Sequence, residues 1–94
     1  MSPEVTISLR PAQPEDEHQL ARLAELDGAT DPLEQPAIIA EEDGVVRAAL
    51  SLRDGRVVAD PFAATMDLVE LLELRRRRLD ARRRWMRSPR PKAA

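Results

Sequence analysis

The chain has no cysteine, which excludes disulfide bonds and metal sites built from thiolates. It has no tyrosine, one phenylalanine and one tryptophan, so its core must be built from Leu, Val, Ile and Ala. The single histidine, His18, stands beside acidic residues, and we expect it to face solvent rather than to bind a metal. The composition therefore predicts a protein without a bound metal.

Long apolar runs are also missing. No run approaches the roughly 18 residues that a membrane-spanning helix needs. Residues 1–6 lack the basic and apolar regions of a signal peptide. The 94 residues have room for one small domain, which we expect to be cytoplasmic.

Positive charge is almost confined to the end of the chain. Residues 1–74 contain five arginines against sixteen acidic residues, whereas residues 75–94 contain nine arginines and Lys92 against Asp80 alone. Such an asymmetry predicts a basic arm that binds an anionic partner or folds against its own acidic body. We therefore divide the chain into a body, residues 1–74, and an Arg-rich helical extension with a disordered tail, residues 75–94.

Two Asp-Gly pairs, Asp43-Gly44 and Asp54-Gly55, organise the middle of the chain, each between apolar runs. This pattern is a strong hairpin signal, because glycine accepts the positive φ of a tight primed turn. It predicts an antiparallel meander with strands at residues 37–42, 45–52 and 56–60. A strict two-residue loop would set Arg53 opposite Arg56, an unfavourable like-charge pair, so we expect a longer second turn.

Elements are predicted on both sides of the meander. Residues 5–10 alternate apolar and polar side chains, which is typical of a strand with one buried face, and Pro11 is expected to end it. A helix begins at Pro14, where proline loses no useful hydrogen bond, and ends before Asp27-Gly28. A second, long helix follows Thr65 as N-cap and ends at Ser88-Pro89, before a disordered tail.

The predicted element order is β-α-β-β-β-α. Strands two and three are apolar at successive positions, so something must cover both faces of the sheet. The fold class is therefore α/β, more narrowly α+β. We expect a four-stranded, mainly antiparallel sheet with one helix on each face and a long C-terminal helix.

Two stretches carry a family resemblance: Ile7-Ser-Leu-Arg-Pro-Ala-Gln-Pro-Glu-Asp16, before Leu20-Ala-Arg-Leu23, and Ile38-Ile-Ala-Glu-Glu-Asp-Gly-Val-Val-Arg-Ala-Ala-Leu50. The first resembles the N-terminal strand and first helix of GNAT-type N-acetyltransferases. The second resembles the family's second and third strands and the short hairpin that joins them. The resemblance covers about residues 5–60 and implies the first half of that fold.

The chain departs from the family where the cofactor would bind. In GNAT-type enzymes the fourth strand leads into a glycine-containing loop whose backbone N–H groups hold the pyrophosphate of acetyl-CoA. The corresponding residues 58–68 contain no glycine here, and Asp60 and Asp67 add negative charge. The tyrosine that often serves as general acid is missing as well. The resemblance thus implies a truncated relative with no cofactor and no catalytic residue.

The arginine block is the sharpest candidate site. Arginines interleaved with an aromatic suit nucleic acid, with phosphates at the guanidinium groups and a base on Trp85. An anionic membrane surface is a weaker fit, because arginines surround the helix and leave no wide apolar face. The block could also simply stabilise the helix dipole, or dock onto the acidic body of the same or a neighbouring chain. The candidate residues are Arg75, Arg76, Arg77, Arg78, Arg82, Arg83, Arg84, Trp85 and Arg87.

Self-association is a further expectation. Half of a GNAT-like fold would leave an open strand edge at residues 56–60, and soluble proteins pair or block such edges. The long helix also has more leucine than a small sheet can cover. The candidate interaction residues are Leu68, Leu71, Leu72 and Leu79.

The sequence as a whole predicts a non-catalytic GNAT-like binding or assembly module. It would self-associate or dock to a larger complex through its C-terminal helix. One alternative is a nucleic-acid-binding accessory protein that uses the Arg-rich helix. Another is a degenerate or weak acetyl-CoA-dependent N-acetyltransferase.

Overall fold

The structure is a computed structural model that describes residues 6–29, 31–63 and 65–87. A single antiparallel sheet has its four strands in chain order, β1-β2-β3-β4. This arrangement confirms the predicted α+β fold and the order of its elements. Their bounds are β1 Ile7–Pro11, a 3-10 turn Pro14–Asp16, α1 Glu17–Leu26, β2 Ala37–Glu42, β3 Val45–Ser51, β4 Val57–Ala59 and α2 Met66–Arg87.

The first meander turn has the predicted length, and the second is longer than two residues, as expected. The first is a two-residue loop in which Asp43 and Gly44 have φ of 51° and 82°, the two positive values of a type I′ turn. The second spans four residues between Ser51 and Arg56, whose N–H and C=O are joined at 2.8 Å. Strand ends differ from the prediction by a residue, since β3 stops at Ser51 and β4 covers Val57–Ala59.

A β-bulge in β3 alters which side chains face which helix. Ala40 pairs with Ala48, but the next residue, Glu41, pairs with Val46, so Arg47 is an extra residue in β3. An extra residue reverses the alternation of side chains beyond it. Val46 therefore packs in the α1 core, although even spacing from Ala48 would place it on the α2 face.

One helix covers each face of the sheet, as predicted. On one face Leu20 and Leu23 of α1 pack with Ile39 of β2. On the other, Leu68 and Leu72 of α2 form a core with strand residues. The strand side chains of that second core are Ile38, Ala40, Ala48 and Leu50. Each of the two apolar faces of β2 and β3 is thus covered by one helix.

Strand β1 differs from its prediction. It begins at Ile7 and includes Pro11, while Val5 lies outside the described residues. Leu9 packs against the α2 core, but Ile7 is 45% exposed. Ile7 is exposed because it pairs with Glu42, next to the β2–β3 turn, on an edge strand. The expected buried face of β1 is therefore present at Leu9 but not at Ile7.

Helix α1 begins after a 3-10 turn and ends with a recognisable cap. Pro14, the predicted helix start, opens the 3-10 turn, and the α-helix itself begins at Glu17, three residues later. At the other end Gly28 has φ 79°, its N–H bonds to Glu25 O at 3.0 Å, and Ala29 N–H bonds to Ala24 O at 2.9 Å. This pair of bonds is a Schellman motif, as the Asp27-Gly28 stop signal predicted.

An ion-pair cluster fastens β1 to the start of α1. Arg10 Nη1 and Nη2 donate to Asp16 Oδ2 and Oδ1, each at 2.8 Å, and Arg10 Nε donates to Glu41 on β2. Asp16 is buried and also accepts the Gln13 N–H at 2.7 Å. These bonds, Arg10 first, lower the pKa of Asp16 to about 2, and the carboxylates raise the pKa of Arg10. The Arg-Pro-Ala-Gln-Pro-Glu-Asp stretch is therefore a structural clamp.

In the part of the chain described here, no helix is both long enough and apolar enough to cross a bilayer.

The clamp predicts how stability depends on pH. Because the folded-state pKa of Asp16 lies near 2, below the ordinary 3.8, its ionised form stabilises the fold. That contribution is complete above about pH 4 and is lost as pH falls through 2. We expect Asp16→Asn to lower the free energy of unfolding by about 2 kcal/mol at neutral pH, with the gap to wild type closing toward pH 2. Urea unfolding across pH measures it, with exposed Glu15→Gln as control; a gap that does not depend on pH would contradict the clamp.

Neighbouring leucines of α2 offer a matched test of the second core. Leu72 is fully buried, so Leu72→Ala should lower the free energy of unfolding by about 3 kcal/mol. Leu71 is 38% exposed, and Leu71→Ala should cost less than about 1 kcal/mol. Denaturant unfolding of both variants decides the matter. Equal losses would mean that α2 does not face the sheet through Leu72.

Candidate interaction helix

Helix α2 begins directly after Thr65, and the Val69 N–H donates to Thr65 O at 2.9 Å. The predicted division between body and extension, after residue 74, therefore falls inside one continuous helix. Asp67, Glu70 and Glu73 lie in the first turns of α2, and from Arg75 onward the helix is rich in arginine, with Asp80 as its one later acidic residue. The predicted helix end at Ser88-Pro89 and the tail at residues 89–94 lie outside the described residues.

The candidate leucines divide between the core and the surface. Leu68 and Leu72 are buried against the sheet, so they hold the helix in place and cannot form an exposed contact surface. Leu79 is half-buried. Leu71 is 38% exposed, and Leu74, which the sequence prediction passed over, is 43% exposed.

Helical phase is the signal that could have separated these leucines. Residues 68 and 72 lie four apart on one face, while 71 and 74 lie three apart on another. Arg76, four residues after Leu72, is half-buried on the same face. Leu71 and Leu74 therefore lie on the side of α2 that faces away from the sheet. Phe62, just before α2, is another exposed apolar residue that the site prediction omitted.

Most of the candidate arginines point to solvent. The exposed ones are Arg75, Arg77, Arg78, Arg82, Arg83 and Arg84. Trp85 is 65% exposed among them, and Arg87 is the last residue of α2. Residues 81–86 are all exposed, so little of this part of the arm is buried on the body of its own chain.

Arg76 differs from its neighbours because it packs on the body. Its guanidinium lies over Gly55 in the second meander turn, where a Cβ atom would overlap it. Arg76 Nε is 3.7 Å from Asp80 Oδ2, one turn further along α2. Arg76 therefore anchors the middle of α2 to the sheet and marks where the helix leaves the body.

The segment before α2 is folded around a carboxylate. Asp60 is buried, and its Oδ2 lies 3.1 Å from Arg47 Nη1 at the bulge. Its Oδ1 accepts the Phe62 N–H at 2.8 Å, and its carbonyl accepts the Ala63 N–H at 3.3 Å. Asp60 thus engages the amides of both Phe62 and Ala63.

Groups for other chemistry are sparse in the described residues. Within residues 6–29, 31–63 and 65–87, no cluster of three His, Asp or Glu side chains could hold a metal ion. A cleft of about 430 Å³ lies beside α1, with Leu20 and Leu33 among its walls. Among the described residues that line it, Glu17 is the one with an ionisable side chain. A single carboxylate does not make an acid–base pair.

Comparisons of this chain with protein-family models, with curated proteins and with solved structures find no match. The resemblance of residues 5–60 to GNAT-type N-acetyltransferases therefore stays a prediction.

Proposed function

We propose that this protein is a non-catalytic binding or assembly module that acts through α2, by self-association or by docking to a larger complex. The observation that carries the proposal is the two-sided character of α2. Leu68 and Leu72 fix one side on the sheet, while Leu71 and Leu74 remain exposed on the side that faces away. A rigidly held helix with an apolar outer side is a common docking element.

The second half of α2 supports the same proposal. Its arginines extend beyond the anchoring contact of Arg76 into solvent. Such an arm continues a helix that is already formed, so it avoids the cost of nucleation. It presents a dense positive surface that an acidic protein face would complement. Arginine is also favoured over other charged residues at interfaces.

The Asp60 turn supports the non-catalytic part of the proposal. By the GNAT resemblance, residues 58–68 take the place of the pyrophosphate loop. Here a buried carboxylate accepts the Phe62 N–H at 2.8 Å, so a diphosphate would meet a like charge and an occupied donor. The antiparallel β-α-β-β-β-α order supports a relationship to the first half of that fold. A cytoplasmic location belongs to the same proposal.

The outer leucines provide the test. The double variant Leu71→Gln and Leu74→Gln should keep the fold, because glutamine is a good helix former and both positions are exposed. Capture from nuclease-treated cytoplasmic extract, with a differently tagged second copy present, should show at least a tenfold loss of bound protein for this variant. Leu26→Gln on α1, also an exposed leucine, is the matched control.

Either of two results would count against the proposal. One is equal capture by the wild type and the double variant, since the outer side of α2 would then make no contact. The other is complete loss of capture on nuclease treatment, which would favour the second candidate function.

That second candidate is nucleic-acid binding through residues 77–87. The observation that favours it is the distribution of arginines around all sides of the exposed arm, with Trp85 65% exposed among them. Several guanidinium groups could meet phosphates at once, and an indole can stack on an unpaired base.

Trp85 reports on this candidate directly, because it is the only tryptophan in the chain. If the arm binds single-stranded RNA or DNA, titration should quench the Trp85 fluorescence. The apparent affinity should also fall about tenfold or more between 50 and 200 mM salt. Arg82→Gln with Arg83→Gln and Arg84→Gln should abolish the signal, while Arg22→Gln on α1 should not. An unchanged fluorescence at low salt would remove this candidate.

A further inference from the structure

We infer that the outward side of α2 binds a second copy of this chain, with the two α2 helices antiparallel. The inference rests on the proposed function, since it names the partner of the same helix. The surface that carries it is the outer stripe, defined as Asp67, Glu70, Leu71, Leu74, Arg77 and Arg78. All six of these residues are exposed.

Spacing is the first argument. Asp67, Leu71, Leu74 and Arg78 follow one another at intervals of four, three and four residues. This is the spacing of the contact positions of a coiled coil, which keeps them on one line along a helix. The line lies opposite Leu72 and Arg76, which face the sheet, so it is on the side of α2 that points away from the body.

Charge fixes the direction of the second helix. A parallel arrangement would place Asp67 beside Asp67 of the other copy and Arg78 beside Arg78, with like charges together. An antiparallel arrangement with its two-fold axis between residues 72 and 73 removes that conflict. Leu71 of each copy then meets Leu74 of the other, and each Asp67 faces Arg78 of the other copy.

The flank of the stripe satisfies the same arrangement. Glu70 and Arg77 lie beside the line on one side, where antiparallel helices bring equivalent flanks together. With the same axis, each Glu70 is level with residue 75 of the other copy, and Arg77 of that copy lies two residues, about 3 Å, further along the helix on the facing flank. In the described part of the chain, none of Asp67, Glu70, Arg77 and Arg78 has an ion-pair partner. A second copy therefore supplies opposite charges to all four.

The arrangement also gives the basic arm a place. Beyond Arg78, each arm extends past the start of the other copy's α2, next to which Phe62 is 85% exposed. The apolar centre consists of only four leucines, two from each copy. The dimer is accordingly weak and depends on protein concentration and on salt.

Complementary charge reversals test the pairing in the full chain. One variant carries Asp67→Arg and Glu70→Arg, and the other carries Arg77→Glu and Arg78→Glu. In a homodimer of either variant, the facing side chains of the two α2 helices carry charges of the same sign. Self-association of each variant alone should therefore weaken about tenfold or more relative to wild type in sedimentation equilibrium. An equimolar mixture restores every opposite-charge pair, and heterodimers should form at least as tightly as the wild-type dimer.

A control on the same helix reverses charges away from the stripe, with Glu73→Arg and Arg83→Glu, and should leave association unchanged. Circular dichroism checks that α2 is intact in every variant. A monomeric wild type at high micromolar concentration would overturn the inference, as would a mixture that fails to associate. Because the capture experiment also detects other proteins, a monomer that still retains a leucine-dependent partner would leave the proposed function standing.

Discussion

Burial of the β2–β3 hairpin on both of its faces is the constraint on which the rest of this fold depends. Ile39 is fully buried on the α1 side and Leu50 on the α2 side, and neither face can be left open to water. Each helix is therefore needed, and the first turns of α2 are fixed by Leu68 and Leu72. Because α2 packs on the sheet through one side only, its opposite side is left exposed, and no other element of the described chain packs on it.

The bulge at Arg47 links that constraint to the segment before α2. The extra residue turns Val46 toward α1 and leaves the Arg47 carbonyl to accept the Asp60 N–H at 2.9 Å. The Arg47 guanidinium also lies 3.1 Å from the Asp60 carboxylate. This paired, buried carboxylate then holds the turn that leads into α2. The β-bulge and the turn that precedes α2 are thus joined through Arg47 and Asp60.

Much of the fold was predictable because local chemistry determines it. The Asp43-Gly44 turn, the stop at Gly28 and the need for two covering helices follow from positive φ, capping and apolar pattern. The bulge could not be predicted, because it depends on how β2 and β3 pair. The division of the α2 leucines into buried and exposed ones was missed for a different reason. The prediction rested on the number of leucines, whereas their position around the helix axis determines which of them face the sheet. Asp60 counted only as a negative charge, since its partner Arg47 is distant in sequence.

The arginines of α2 exceed what helix stability alone requires. Cations stabilise a helix only within its last turn, by roughly 0.3–1 kcal/mol, which concerns Arg84 and Arg87. Arg77 and Arg78 lie more than two turns from that end. Arg78 has Arg82 four residues after it, and like charges at this spacing destabilise a helix by a few tenths of a kcal/mol. An acidic group outside the helix, such as Asp67 of a second copy, would offset this repulsion at Arg78.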